Sequence, residues 1–400
     1  MHAPKFNYEM QKGLLALAVG GFGIGMTEFV MMGILPDLAS SLHITIPQAG
    51  HFISAYALGV VVGAPLLTAI GAKYTPNKVL IMLMLWFTVF NTLSAFSPNY
   101  YTLLTMRFLS GLPHGAFFGI GAVVAGKLAA EGKAAQAISI MFTGLTVANI
   151  IGVPLGTYIG HSFDWRITFG AVGIIGILAM LSIYSWMPAM EKEKQSQDGS
   201  SFQVFKQVEL WLIVLLTTIG TGGFFAWYSY IAPLLTDITH IDPSMVTYVL
   251  VIAGVGMSFG NIAGAKLADK YSPVVAVIFL LLFMTAVLLT LTFVASSKPL
   301  TFIMTFIIGA TAFSIVAPIQ MMMIKSAKGA EMLGSSITQG AFNIGNALGA
   351  YLGGIPLTLG YSFTSPDVVG AGMALGGVLI AVTILVLRNK KVSTPVCAEC

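Results

Sequence analysis

Twelve stretches of about 20 predominantly apolar residues follow one another along this chain, separated by short polar segments. Each is long enough to cross the ~30 Å hydrocarbon core of a bilayer as an α-helix. They are continuous, unlike the ~10-residue alternating segments of a membrane β-barrel. They cannot belong to a water-soluble fold either: only 8% of the 400 residues are charged, against roughly 25% in a soluble domain. The chain reads as an all-α membrane protein with spans at 13–35, 48–71, 79–96, 101–125, 137–160, 167–187, 210–235, 245–268, 274–295, 300–323, 334–358 and 367–388. The first span is too long for a signal-peptide core and runs into Glu28 and Pro36 without a small-residue cleavage site.

The basic residues orient these spans. With the N-terminus in the cytoplasm, 16 of the 19 Lys and Arg fall in cytoplasmic segments, and only Arg166 and Lys298 fall outside. Positive charge collects on the cytoplasmic side of membrane proteins, so both termini are expected there. The formal net charge of +4 is dispersed, with no basic patch interleaved with aromatics, so nucleic acid is not an expected partner. The bilayer is. Cys397 and Cys400 supply two thiols where a structural zinc site needs four ligands, and Gly21, Gly23 and Gly25 follow no strand and lack nucleotide-loop spacing. No metal or cofactor is expected.

A polar stretch centred on EKEKQSQDGSS divides six spans from six. The expected organisation is an N-terminal half (1–190), a cytoplasmic linker (191–207), a C-terminal half (208–390) and a cytoplasmic tail (391–400). The halves match at one unchanged offset of 197: Gly23 and Gly25 with Gly220 and Gly222, Pro36 with Pro233, His43-Ile44 with His240-Ile241. Gly59 and Gly63 match Gly256 and Gly260, and Asn149, Gly152 and Gly156 match Asn346, Gly349 and Gly353. Parallel six-helix repeats with a binding site at their interface are a transporter architecture.

The chain resembles the major facilitator superfamily over nearly its whole length. Within it, the chain is similar to the twelve-span drug:proton antiporters and their AraJ-like and SotB-like sugar-efflux branch. The motifs that carry this are Gly25-Met26-Thr27-Glu28-Phe29 in span one and Arg107-Phe108-Leu109-Ser110-Gly111-Leu112-Pro113-His114-Gly115 in span four. Trp165-Arg166, Tyr228-Ser229-Tyr230-Ile231 and Phe342-Asn343-Ile344-Gly345 add to them. The family's cytoplasmic loop motif is degenerate: no Asp follows span two, whereas Asp269-Lys270 remains after span eight. The span-five antiporter motif survives as Gly144, Gly152, Pro154 and Gly156 at altered spacing. Asp269, Lys270, Pro154, Gly152 and Gly156 are therefore expected in structural or conformational roles.

Glu28 is the deep acid and Arg107 the deep base of the spans. A charge at mid-membrane costs several kcal/mol, so it faces a cavity or a partner. Glu28 lies ~12 Å from the outer end of span one and Arg107 ~9 Å inside span four, at ~1.5 Å per residue. In this fold these helices face each other. The functional reading is a carboxylate that exchanges a proton as its surroundings change. The alternatives are a fixed ion pair, or Arg107 bonded to backbone carbonyls while Glu28 binds substrate. His114 suits a proton relay and equally a packing role. The second half offers neutral groups for a substrate cavity: Trp227, Tyr228 and Tyr230 in span seven, Gln320 in span ten, and Gln339, Asn343 and Asn346 on one face of span eleven. The bland reading of these amides is helix–helix adhesion.

Together these readings give a bacterial inner-membrane protein, not an enzyme: a monomeric secondary transporter exporting sugars or small amphiphilic compounds against protons by alternating access. The alternatives are a proton–substrate symporter or uniporter of the same fold, and a non-transporting membrane sensor.

Overall fold

The computed structural model describes residues 8–44, 46–192, 206–242 and 245–393; the side chains of 8, 9, 36, 46, 47 and 390–393 are not described. Most of the expected linker and the Cys397–Cys400 tail lie outside the described residues, as does Lys5.

Among the described residues twelve long helical segments follow in order: α1 Tyr8–Ser41, α2 Ile46–Gly71, α3 Pro76–Ala95, α4 Tyr100–Leu128, α5 Ala134–Ser162, α6 Trp165–Trp186, α7 Val208–Tyr228, α8 Val246–Lys270, α9 Pro273–Val294, α10 Lys298–Ser326, α11 Glu331–Thr358 and α12 Ser365–Ser393. Eleven are long and apolar enough to cross a membrane. The remaining one, α11, has the length but carries Ser335, Ser336, Thr338, Gln339 and Asn343, all buried, so its polarity points inward. Large apolar side chains stay exposed on the periphery, as at Met82 and Leu85 of α3, Ile174 and Leu181 of α6, and Phe279 and Phe283 of α9. In a bilayer those faces meet lipid, which is as apolar as they are.

The helices depart from the expected spans where the backbone chemistry changes. α1 runs five residues past Pro36, to Ser41. Span seven, expected through 235, ends as a regular helix at Tyr228; a one-turn helix Ile231–Pro233 and a π-turn Leu234–Ile238 follow. Pro233 has no N–H to return to Ser229, so the ladder breaks there. α10 is interrupted at Ile315, because Pro318 leaves the Ser314 carbonyl without its helical donor. α5 carries a π-turn at Ala148–Gly152, immediately ahead of Pro154.

Each half packs by the same scheme. α2 lies along α4 in the first half and α8 along α10 in the second. A side-chain carbon at Gly59 or Gly63 would strike the backbone of Phe108 or Leu112; at Gly256 or Gly260 it would strike that of Phe306 or Ala310. The loops repeat as well. His43 (φ 55°) and His240 (φ 54°) are the non-glycine residues with positive φ among those described, and they are 197 apart; Gly132 (φ 71°) and Gly329 (φ 84°) are too. The left-handed conformation is uncommon outside glycine, so its recurrence at one offset supports duplication of the six-helix unit.

The halves meet unevenly. At the end where Pro188 leaves the first half and Lys206 enters the second, one apolar core joins both, combining Leu14, Leu128 and Met141 with Ala265, Val316, Met321 and Met332. Hydrogen bonds cross there too: the Thr68 hydroxyl donates to Ser336 Oγ (2.7 Å), and Asn261 Nδ2 donates to Ser139 O (2.7 Å). At the opposite end the cores are separate, one built on Ile34, Phe52 and Trp165 and the other on Trp227, Leu234 and Leu291.

Candidate functional site: a cavity between the two halves

A central cavity lies between the halves, lined from α1, α4 and α5 on one side and α7, α9, α10 and α11 on the other. Most of its wall is apolar and aromatic: Phe29 and Phe142 of the first half face Phe224, Phe225, Phe313 and Phe342 of the second. The polar groups are few: Glu28, His114, Thr221, Gln339, Asn343 and Asn346. An apolar cavity with a few placed polar groups is the usual form of a small-molecule site.

Glu28 is half-buried, and among the described residues its carboxylate has neither a hydrogen-bond donor nor an ion-pair partner. The fixed ion pair with Arg107, one of the alternatives that matched depth leaves open, is absent. Arg107, fully buried, instead turns to the residue before Glu28. Its Nη1 donates to Thr27 Oγ1 (3.0 Å) and its Nη2 to the Thr27 carbonyl (3.2 Å). The Thr27 hydroxyl donates onward to Asn91 Oδ1, and Asn91 Nδ2 donates to the Phe87 carbonyl (2.8 Å). The guanidinium carbon lies 4.4 Å from the centre of the Tyr56 ring, a separation at which a cation is attracted to the aromatic face. Tyr56 in turn shares a hydrogen bond of 3.1 Å with Nδ1 of His114. A polar chain therefore runs through four helices, from Asn91 through Thr27, Arg107 and Tyr56 to His114, and its last member reaches the cavity that Glu28 lines. Chemically, Glu28 is a carboxylate free to bind a proton or a cationic group, with a fixed positive charge behind it.

Tyr56 and Asn91 escape the sequence reading, and Thr27 enters it only as a member of the span-one motif, without a role. The one signal for Asn91 is an amide in an otherwise apolar span. Phe225 is the repeat counterpart of Glu28, and it lines the same cavity from the other half. Of the neutral groups expected in the cavity, Gln339, Asn343 and Asn346 line it. Trp227, Tyr228, Tyr230 and Gln320 do not. The break at the C-terminal end of span seven turns these aromatics into the second half's own packing. Trp227 is buried there, Tyr228 stacks on Phe224 (5.0 Å between ring centres), and the Tyr230 hydroxyl donates to Ala350 O (2.8 Å). Gln320 accepts from the Ser335 hydroxyl (3.2 Å) within the α10–α11 contact.

Of the residues expected in structural roles, Gly152, Gly156 and Asp269 sit at helix contacts. Gly152 packs against the Phe22 ring of α1 and Gly156 against Val30 and Met26, with Pro154 two residues beyond the π-turn. The Asp269 carboxylate accepts from the backbone N–H groups of Ala135 (2.9 Å) and Gln136 (3.0 Å), so the second half caps the first turn of α5 in the first half. An anion at a helix N-terminus is favoured by about 0.3–1 kcal/mol. Lys270 lies 5.2 Å from the Tyr271 ring. Among the described residues no group of three or more His, Cys, Asp or Glu is placed to hold a metal ion.

The family model for the Major Facilitator Superfamily matches residues 17–350 and again 228–396. The inner membrane transport protein YdhP of Escherichia coli (strain K12) is 42% identical over 374 residues, covering 93% of this chain and 95% of its own. AraJ of Escherichia coli (strain K12) is 38% identical over 395 residues, 98% of this chain and 99% of AraJ. Among solved structures, the transporter FucP in the outward conformation superposes with a TM-score of 0.76 at 15% identity, over 93% of this chain and 98% of FucP. The chain belongs to the Major Facilitator Superfamily and is a multi-pass transporter of the inner membrane, not an enzyme.

Proposed function

We propose that this protein is a proton-coupled exporter in which Glu28 carries the proton. The observation that supports this most is the state of Glu28: it is the charged side chain of the cavity wall, and it has no fixed partner while Arg107 is held one residue away. A carboxylate in that setting is free to exchange a proton for a bound substrate. Rocking of the two halves changes the exposure of its carboxyl while the guanidinium, held in the same half, stays in place, and this links protonation to conformation.

The twelve helices each cross once, with both termini and the linker in the cytoplasm, as the 16-to-2 distribution of Lys and Arg supports. The shared core at the linker end and the separate cores at the other end then correspond to an outward-facing state. The protein works as a monomer, since each chain holds a complete cavity. Six phenylalanines with three amides favour a small amphiphile with a flat apolar or sugar-ring face and polar substituents, bound between Glu28 and the α11 amides. A proton entering down the gradient supplies about 2.3 kcal/mol per 100 mV and about 1.4 kcal/mol per pH unit.

The deciding measurement is substrate-induced proton flux in proteoliposomes, screened over sugars and amphiphilic drugs. Antiport predicts proton movement opposite to substrate. Movement in the same direction establishes symport instead, and substrate flux without proton movement removes Glu28 from coupling.

A further inference from the structure

A second buried carboxyl lies outside the central cavity. Asp367 stands in the first turn of α12, at the end of the molecule away from the linker, and it is fully buried. Both of its carboxyl oxygens lack any hydrogen-bond partner. Three helices pack against α12: α7, α9 and α11. None carries Lys, Arg or His, and their acids, Glu209 and Glu331, lie at the linker ends. The other titratable groups on these elements at this end are phenols: Tyr228 and Tyr230 at and beyond the end of α7, Tyr351 of α11, and Tyr361 in the loop before α12.

The contacts of α7 and α12 fix what stands opposite Asp367. Gly220 meets Gly377, and Gly223 meets Gly370. These positions form one stripe on each antiparallel helix. One turn further out, the stripe reaches Trp227 on α7 and Asp367 on α12. Trp227 is buried as well, and its indole Nε1–H has no acceptor. An orphan donor and an orphan pair of acceptors thus occupy the same level of one helix contact.

We propose that Asp367 is a second proton-binding site of this protein, held as the carboxylic acid and joined to the Trp227 indole N–H through water. A buried carboxylate with neither cation nor donor is the costliest arrangement available to it, and the helix N-terminus offsets only part of that cost. A bound proton removes the charge and leaves a neutral acid whose O–H donates and whose carbonyl accepts. The step is binding alone: one O–H bond forms, and no other bond changes. Water suits the gap because it serves a donor and an acceptor that do not touch directly. The site is independent of Glu28, which lies in the other half.

Infrared spectroscopy of the full-length protein in lipid, carried out in a Glu28→Gln background, tests this. At neutral pH the spectrum should contain a carboxylic-acid C=O band that shifts when aspartate is labelled with ¹³C at its side-chain carboxyl and disappears in Asp367→Asn. The labelling needs no second mutation, so it remains decisive if that variant folds poorly. Trp227→Phe should move the band without abolishing it. Absence of a label-sensitive acid band, or its survival in Asp367→Asn, overturns the proton site. A band unmoved by Trp227→Phe overturns the pairing with Trp227.

Discussion

At the residue scale, the arrangement around Thr27 separates two roles that share one motif. Thr27 holds Arg107, and Glu28 next to it is left to the cavity. Thr27→Val removes the hydroxyl from between Arg107 and Asn91 and leaves buried polar groups unsatisfied. It should cost about 1–3 kcal/mol of stability, read as a fall in melting temperature, with substrate still bound. Glu28→Gln keeps shape and hydrogen bonding and removes titration. It should leave folding and substrate binding close to wild type, abolish proton-driven transport, and flatten the pH dependence of binding. Retention of full proton-coupled transport would sink the mechanism and make His114 the next group to examine. Arg107→Lys should restore transport only in part, because the ammonium lacks the planar fork with which Arg107 spans the Thr27 hydroxyl and carbonyl.

At the element scale, the close pairs α2–α4 and α8–α10 rest on glycines with no room for a side chain. Gly63→Ala and Gly260→Ala place a methyl against the backbones of Leu112 and Ala310, so the helices must separate. Each should destabilise by about 1–3 kcal/mol, the usual cost of overpacking. Gly50→Ala and Gly126→Ala meet open space and should change the melting temperature little. Equal losses at all four positions would mean that helix contact does not set the requirement for glycine. The breaks in α7 and α10 belong to this scale too: each follows from a proline that cannot donate to the turn before it.

At the scale of the whole molecule, the two halves close against each other at the linker end. Thr68 Oγ1 and Ser336 Oγ are 2.7 Å apart across the two halves. With the two tail cysteines replaced, Thr68→Cys combined with Ser336→Cys should form a cross-link on oxidation. Transport should stop and return on reduction, while either single variant stays active. Continued transport by the cross-linked protein would show that this contact need not open. Orientation is checked separately: cysteines at 192 and 206 should react with impermeant reagents only from the cytoplasm, and cysteines at 43 and 240 only from outside. Labelling of 192 from outside would invert the assignment of the outward-facing state.

The sequence by itself determined the helical membrane class, the family and the repeat at one offset, and it singled out Glu28 and Arg107 as the deep charges. These depend on local properties: the length of apolar runs, the rarity of buried charge, and spacing along one chain. The α11 amides were legible for the same reason, since three polar residues at helical spacing mark one face. Only the tertiary structure decided that Arg107 holds Thr27 rather than Glu28, that Tyr56 and Asn91 extend the polar chain, and that Trp227, Tyr228, Tyr230 and Gln320 pack away from the cavity. Asp367 shows why. In the sequence it sits at the start of a span, where an acid meets water in most helices. Its burial comes from the way α12 lies against α7, α9 and α11. Which side chains share a space depends on helix rotation and contact between distant segments, and a one-dimensional pattern fixes neither.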